Sequence, residues 1–206
     1  MKKTIYYLIA LTTSFTIQAQ NYVNQVLILN EGYFDYTNNE IIEPASIGSY
    51  NPMSEVYTEV LELEGMRFAS DLIIDNDVYY VAADTKIFKI NLNTHEIISS
   101  VNCQGVRNLA VVGDKLFATR GEYLVDFDSY LHIYSANDLS LELALDNESG
   151  PKWATQNIIS IGEKVYFAIN NAYEFGNEKG IIGVYNSENL VYEEVDLGPE
   201  AKNPDN

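Results

Sequence analysis

The chain has 206 residues, with 12 Lys and Arg against 30 Asp and Glu, a formal charge of −18, two His and one Cys. A lone Cys excludes an intramolecular disulfide framework and a Cys-based zinc site. The acidic excess argues against duplex nucleic acid or anionic lipid as a partner, because both need a basic face. Hydrophobic residues at 47% and aromatics at 12% are too many for a disordered chain and sufficient for a packed core.

Residues 1–19 read as an export signal. Lys2 and Lys3 form the charged start, residues 5–11 a short apolar run, and Ala19 a small residue at the cleavage position, leaving Gln20 as the new N-terminus. The run is too short to span a bilayer, and no later segment approaches that length. Removal of Lys2 and Lys3 takes the net charge from −18 to −20. The expected address is the periplasm, the outer-membrane surface or the extracellular space.

From residue 24 onward the pattern is one of short Val-, Ile-, Tyr- and Phe-rich runs broken by Asn, Asp, Gly and Ser turns, the signature of many short strands. The runs recur as a four-strand unit. One copy comprises 71–75, 78–82, 86–90 and 96–101; the next 108–112, 116–119, 131–134 and 139–143; the third 157–161, 165–169, 181–185 and 190–195. Tyr50, Ile90, Tyr134 and Tyr185 close the third strand of successive units, at a period of about 40–50 residues. That is the period of a propeller blade, and the expected fold is an all-β propeller of four-stranded antiparallel blades. A β-sandwich is the competing all-β reading, but it has no need of the same turn chemistry at the same place in each unit.

The expected blades run over about 24–64, 65–103, 104–148 and 149–197, with 198–206 leading into a fifth. The first unit offers matches only to strands two, three and four, so its innermost strand is missing, and a longer propeller is expected.

The stretch Val78-Tyr-Tyr-Val-Ala-Ala-Asp84, with the recurring Gly-Asp/Glu-Lys-Leu/Val-Tyr/Phe turn-and-strand pattern, resembles the YVTN-type repeat of YncE-like β-propellers, especially exported bacterial surface proteins. The resemblance covers about residues 24–206. It implies a fold, typically of seven blades, of which about four are visible. It does not select among relatives that bind small cofactors such as cobalamin and quinoprotein-like propellers, so the cofactor is unknown.

Loops after strands two and four share one face of such a blade. Those after strand two are long and irregular (30–44, 120–130 and 170–180), and variable loops on a rigid scaffold are where binding usually sits. They carry Tyr33, Phe34, Asp35 and Tyr36, then Tyr123, Asp126, Phe127, Asp128 and Tyr130, then Tyr173, Glu174 and Phe175. Such aromatics either offer contact area to a partner or cap the core. Each crossing between blades places a cation two residues after a Gly: Arg67, Arg107 and Lys152. With Trp153 as a stacking surface these would ring a channel mouth and bind an anionic ligand; the plainer alternative is pairing with the abundant carboxylates.

Enzyme signals are thin. His132, near Asp126 and Asp128, is a weak candidate general acid/base, and His95 sits on the opposite face as a solvated side chain. Asp126-x-Asp128 is half of a calcium-loop pattern and lacks its Gly and Glu. Cys103 reads as a small buried hydrophobe. No phosphate loop or dinucleotide fingerprint is present. The leading expectation is an exported binding module for a small molecule, glycan or protein partner. The alternatives are a propeller enzyme of quinoprotein or lyase type, and a structural surface-layer or adhesion repeat.

Overall fold

A computed structural model describes residues 23–170, 176, 178–198 and 200–202. The proposed export signal, and Tyr173, Glu174 and Phe175 of the third long loop, lie outside the described residues.

The described chain is all strand and turn, arranged as successive antiparallel sheets. The first sheet has three strands in the order β1 (Val26–Asn30), β4 (Ser46–Asn51), β5 (Val56–Glu62); between β1 and β4 the chain forms a small hairpin of β2 (Tyr33–Asp35) and β3 (Glu40–Glu43). The second is β6 (Ala69–Asp75), β7 (Val78–Ala83), β8 (Lys86–Asn91) and β9 (Ile97–Asn102). The third is β10 (Val106–Val112), β11 (Lys115–Arg120), β12 (Ser129–Ser135) and β13 (Leu141–Asp146). The fourth is β14 (Ala154–Ile161), β15 (Lys164–Asn170), β16 (Gly180–Asn186) and β17 (Val191–Asp196). This is the expected up-and-down blade, part of a β-propeller.

The turn after each third strand is built the same way four times. A side-chain oxygen of Asn51, Asn91, Ser135 or Asn186 accepts the amides two and three residues ahead, the local bonding that makes these residues turn formers. Four residues after it, Glu55, His95, Leu139 and Leu190 each adopt a positive φ of 57–61°. The inner hairpin turns are equally uniform, with Asn76, Gly113 and Gly162 at φ 52–61°.

Blades pack face to face, so strands near the axis are buried on both sides and lose clean alternation. In β7, Tyr79, Val81 and Ala83 join a core with Ile47 and Leu63 of the first blade. Tyr80 and Ala82 on its other face join Leu109, Leu116 and Tyr134 of the third. Phe117, Leu131 and Ile133 pack against Val165, Phe167 and Tyr185 of the fourth. These cores are contiguous apolar layers between sheets, the main stabilising term of the fold.

Polar clasps cross the same gaps. Asp71 in β6 and Asn108 in β10 occupy equivalent places, four residues before the last residue of each inner strand. Asp71 Oδ2 accepts the Leu109 amide at 2.7 Å, and Asn108 Oδ1 accepts the Asn157 amide at 3.0 Å. Each inner strand carries a register irregularity beside its clasp, and bulges of this kind re-aim backbone groups. Further out, the Thr155 hydroxyl donates to the Tyr130 carbonyl at 2.6 Å and accepts the Arg120 amide at 2.9 Å.

β1 lies beside β6 as β7 lies beside β10 and β11 beside β14. It therefore holds the second-strand place, and among the described residues no strand pairs with its inner edge.

Candidate functional site: the loop face

Among the described residues, the first two long loops and the crossings gather at one end of the sheets. Residues 30–44 are not irregular throughout. Asp35 Oδ1 accepts the Thr37 and Asn38 amides at 2.7 and 3.2 Å, and this closes the β2–β3 hairpin. The hairpin presents Phe34 and Tyr36 to Phe68, with ring centroids 5.1–6.2 Å apart. Tyr33 faces solvent.

Arg67 sits in this cluster. Its guanidinium lies 5.4 Å from the centroids of both Phe34 and Phe68. Nε and Nη2 donate to Asp84 Oδ1 at 3.2 and 3.1 Å, and its backbone amide donates to Asp84 Oδ2 at 2.5 Å. The Asp84 side chain is 9% exposed while that of Arg67 remains 45% exposed. The pairing reading therefore describes Arg67 well, and the pair is aromatic-flanked with an outward edge.

Arg107 occupies the equivalent position one blade on. Met66 donates to the Leu63 carbonyl, as Val106 does to Cys103, and Gly65 and Gly105 have φ of 76° and 71°. Arg107 Nε donates to the Gly121 carbonyl at 2.9 Å, and its guanidinium carbon packs against Gly121. The third crossing is built differently. There Asp146 Oδ1 accepts the Glu148 and Ser149 amides, and Gly150 is not in the left-handed region. Lys152 is exposed, and Trp153 is partly buried against the core between the third and fourth blades. The structure thus brings Arg67 and Arg107 into one repeated geometry and leaves Lys152 and Trp153 outside it.

The second long loop is anchored by a residue the sequence reading missed. Arg120, at the end of β11, is 8% exposed. Its Nε donates to the Gln104 carbonyl at 3.0 Å and its Nη1 to the Ser129 carbonyl at 2.6 Å, while Phe127 covers it at 4.3 Å from the ring centroid. Phe127 also packs edge-on against Tyr130. Phe127 thus acts from within the loop, holding it down, whereas Tyr123 at its tip is 69% exposed. The sequence cue was an Arg closing an apolar strand just before a Gly.

Arg120 also decides the state of His132. Arg Nη1 has only hydrogens to give, so His132 Nε2, 2.8 Å away, is the acceptor. The ring proton then sits on Nδ1 and is donated to the Tyr134 hydroxyl at 3.0 Å. Burial first, and the neighbouring guanidinium second, push the His132 pKa down to about 4. Tyr134 in turn hydrogen-bonds the buried Cys103, whose thiol burial pushes up. Cys103 is therefore a buried polar partner as well as a filler. Asp126 and Asp128 are exposed, and among the described residues no group of three His, Cys, Asp or Glu is placed to hold a metal. His95 is half-buried rather than solvated: its Nδ1 lies 3.2 Å from the Tyr79 hydroxyl.

Between the second and third blades the loop face opens into a cleft of about 220 Å³ lined by Arg67, Phe68, Ser70, Asp84, Thr85, Gly105, Val106, Gly121 and Glu122. Gln104 Nε2 donates to Glu122 Oε2 at 3.2 Å across its edge.

No family model matches the sequence, and no curated protein matches it. Solved structures do. The chain is similar to the dihydro-heme d1 dehydrogenase NirN in complex with DHE (TM-score 0.57, 10% identity, 86% of this chain and 39% of that one). It is similar to BamB from Moraxella catarrhalis (0.53, 9%, 73% and 42%). It is also similar to a europium-containing methanol dehydrogenase (0.59, 10%, 86% and 41%). The chain spans about two fifths of the length of each. All three are β-propeller proteins, and likeness at this identity is one of fold. Among the described residues no helix is long and apolar enough to cross a membrane. The chain is therefore a β-propeller segment by sequence pattern, by structure and by its structural neighbours.

Proposed function

We propose that this protein is an exported, YVTN-type β-propeller binding module of the periplasm or cell surface, whose loop face engages a small molecule, glycan or surface protein. The observation that carries the reading is the asymmetry of the two ends. One end has four near-identical tight turns; the other has long loops that leave Tyr33, Tyr36 and Tyr123 exposed, and a cleft between two of the sheets. Exposed aromatics held by a rigid scaffold give contact area at low entropic cost. The blade bounds of about 24–64, 65–103, 104–148 and 149–197 belong to this reading. So does 198–206 as a lead into a further blade: Leu197 donates to the Gly180 carbonyl as Leu63 does to Ala45 and Cys103 to Thr85.

The test is a thermal-shift screen of small molecules and glycans, followed by Arg67→Ala, Tyr123→Ala and Lys152→Ala. Ligand-induced stabilisation should fall with at least one of these; a ligand whose effect survives all three binds elsewhere and sinks the reading.

The enzyme alternative draws support from the two dehydrogenases among the structural neighbours. Against it, both ring nitrogens of His132 are engaged, and catalysis would need one to face a substrate. Any turnover lost in His132→Gln with the fold intact would restore that alternative. A structural surface-layer or adhesion role would show no small-ligand binding at the cleft.

A further inference from the structure

We propose that the cleft between the second and third blades is the ligand site of the loop face, and that it takes an uncharged polyhydroxylated ligand, one sugar unit of a neutral glycan. This rests on the loop-face reading above and goes on to name the site and the chemistry.

The charges around the cleft are largely paired within the protein. Arg67 is neutralised by Asp84, which spends both oxygens on it. Glu122 then leaves the lining net acidic, on a protein of formal charge −18. A carboxylate or phosphate entering here meets two fixed carboxylates, while the nearby guanidiniums are already engaged, Arg67 with Asp84 and Arg107 and Arg120 with the backbone carbonyls of Gly121, Gln104 and Ser129. The two phenyl rings that flank the cleft, Phe34 and Phe68, are taken by the protein's own Arg67 at 5.4 Å from each, so a cation would be left with Glu122 and the Tyr36 face, the case that the spermidine probe tests.

What the cleft does offer is a set of uncharged-ligand contacts on stiff supports. The outward edge of Arg67 donates, Glu122, braced by Gln104, accepts, and Thr85 does both. Gly105 and Gly121 let the wall behind the cleft close up: a Cβ at Gly105 would run into the Phe127 ring, and one at Gly121 into Ala154 and Arg107. Alongside, Tyr36 stacks on Phe68 at an interplanar angle of 22° yet is 77% exposed, so one ring face is presented to solvent. Alternating donors and acceptors beside an open aromatic face match a ring that has hydroxyls on its rim and C–H groups on its faces. At about 220 Å³ the space is smaller than a drug-sized pocket of ~300–1,000 Å³, which suits a single ring with the rest of the glycan outside.

The experiment is amide NMR of the ¹⁵N-labelled protein titrated with maltotriose, cellotriose and chitotriose, with trigalacturonate and spermidine as anionic and cationic probes. Each probe is taken to about 10 mM, where a site with a Kd of ~1 mM is filled. At least one neutral trisaccharide should saturate shifts at Thr85, Gly105 and Gly121, and Tyr36→Ala and Glu122→Ala should each weaken it about tenfold while leaving the spectrum folded. If only a charged probe moves those amides, the sugar assignment is wrong while the loop-face reading stands. If no trisaccharide moves them, the assignment is likewise overturned. If shifts arise only on the tight-turn end or the channel wall, both fail.

Discussion

The Asp71 carboxylate crosses from one sheet to the next to take the Leu109 amide at 2.7 Å, and its other oxygen takes the amide of its neighbour Leu72 at 2.9 Å. One side chain thus satisfies a backbone donor on each of two adjacent inner strands. A half-buried amide with no partner costs about 1–3 kcal/mol. Asp71→Ala and Asn108→Ala are each expected to lower unfolding free energy by about that amount, ~1–3 kcal/mol, in denaturant titration. A control such as Thr58→Ala on the exposed outer strand of the first blade should change little.

The same carboxyl has its pKa raised, chiefly by burial and against the pull of the Leu109, Leu72 and Asn108 hydrogen bonds. A folded value above the unfolded one gives stability that is complete below the ordinary carboxylate pKa and fades as pH rises through the folded value. Asp71→Asn keeps one acceptor and does not titrate. Its stability relative to the parent should therefore improve from acid to neutral pH, which melts at pH 3.5, 5 and 7 would read.

His132 works in the opposite sense. Its folded pKa of about 4 lies below the unfolded 6.5, so its contribution is complete above about 6.5 and is lost as pH falls towards 4. Converted in full the difference exceeds ~3 kcal/mol, and solvent screening of the partly exposed ring brings it to roughly 2–3 kcal/mol across that window. His132→Gln can still accept from Arg120 and donate to Tyr134, and it should flatten the loss between pH 6.5 and 4. An unchanged slope would mean that other groups dominate acid sensitivity.

Arg120 holds the carbonyls of Gln104 and Ser129 under the Phe127 ring. Arg120→Ala leaves both unpaired in a buried place and is expected to cost at least about 2 kcal/mol. Phe127→Ala should cost less globally but raise hydrogen exchange across 121–128, because the ring is what fastens that loop. Equal exchange in the two proteins would argue that the loop is held from elsewhere.

Gly183 in the fourth blade lies directly beneath Phe167, where an added Cβ would strike the ring, and Phe167 stacks on Tyr192 at 13°. Gly183→Val should destabilise by about 1–3 kcal/mol through overpacking. Gly162, whose surroundings are open, sits at φ 59°; Gly162→Asn, an exchange that the left-handed region tolerates, should be nearly neutral.

The strands were legible because their signals are local. Asn51, Asn91, Ser135 and Asn186 mark the same turn by their own side-chain bonding, and the runs between them had the right length for one strand each. The β2–β3 hairpin escaped notice because its strands are three and four residues long and lack alternation. The site was less legible for a different reason. Arg67 reaches Asp84 seventeen positions away and Arg120 meets His132 across a strand pair, and no spacing rule links such partners. The match of Gly150-Pro-Lys152 to the two earlier crossings was a likeness of letters, since the Asp146 turn gives that crossing another shape.

The clasps run through the strands nearest the axis, while the lengthened hairpins are inserted further out, between second and third strands. The Asp71 and Asn108 clasps touch no residue of those hairpins, whereas Thr155 grips both ends of the second one at Arg120 and Tyr130. Mutation between those anchor points can therefore reshape the loop end, residue by residue or by whole insertions, without loosening the Asp71 and Asn108 joints that keep neighbouring sheets in step.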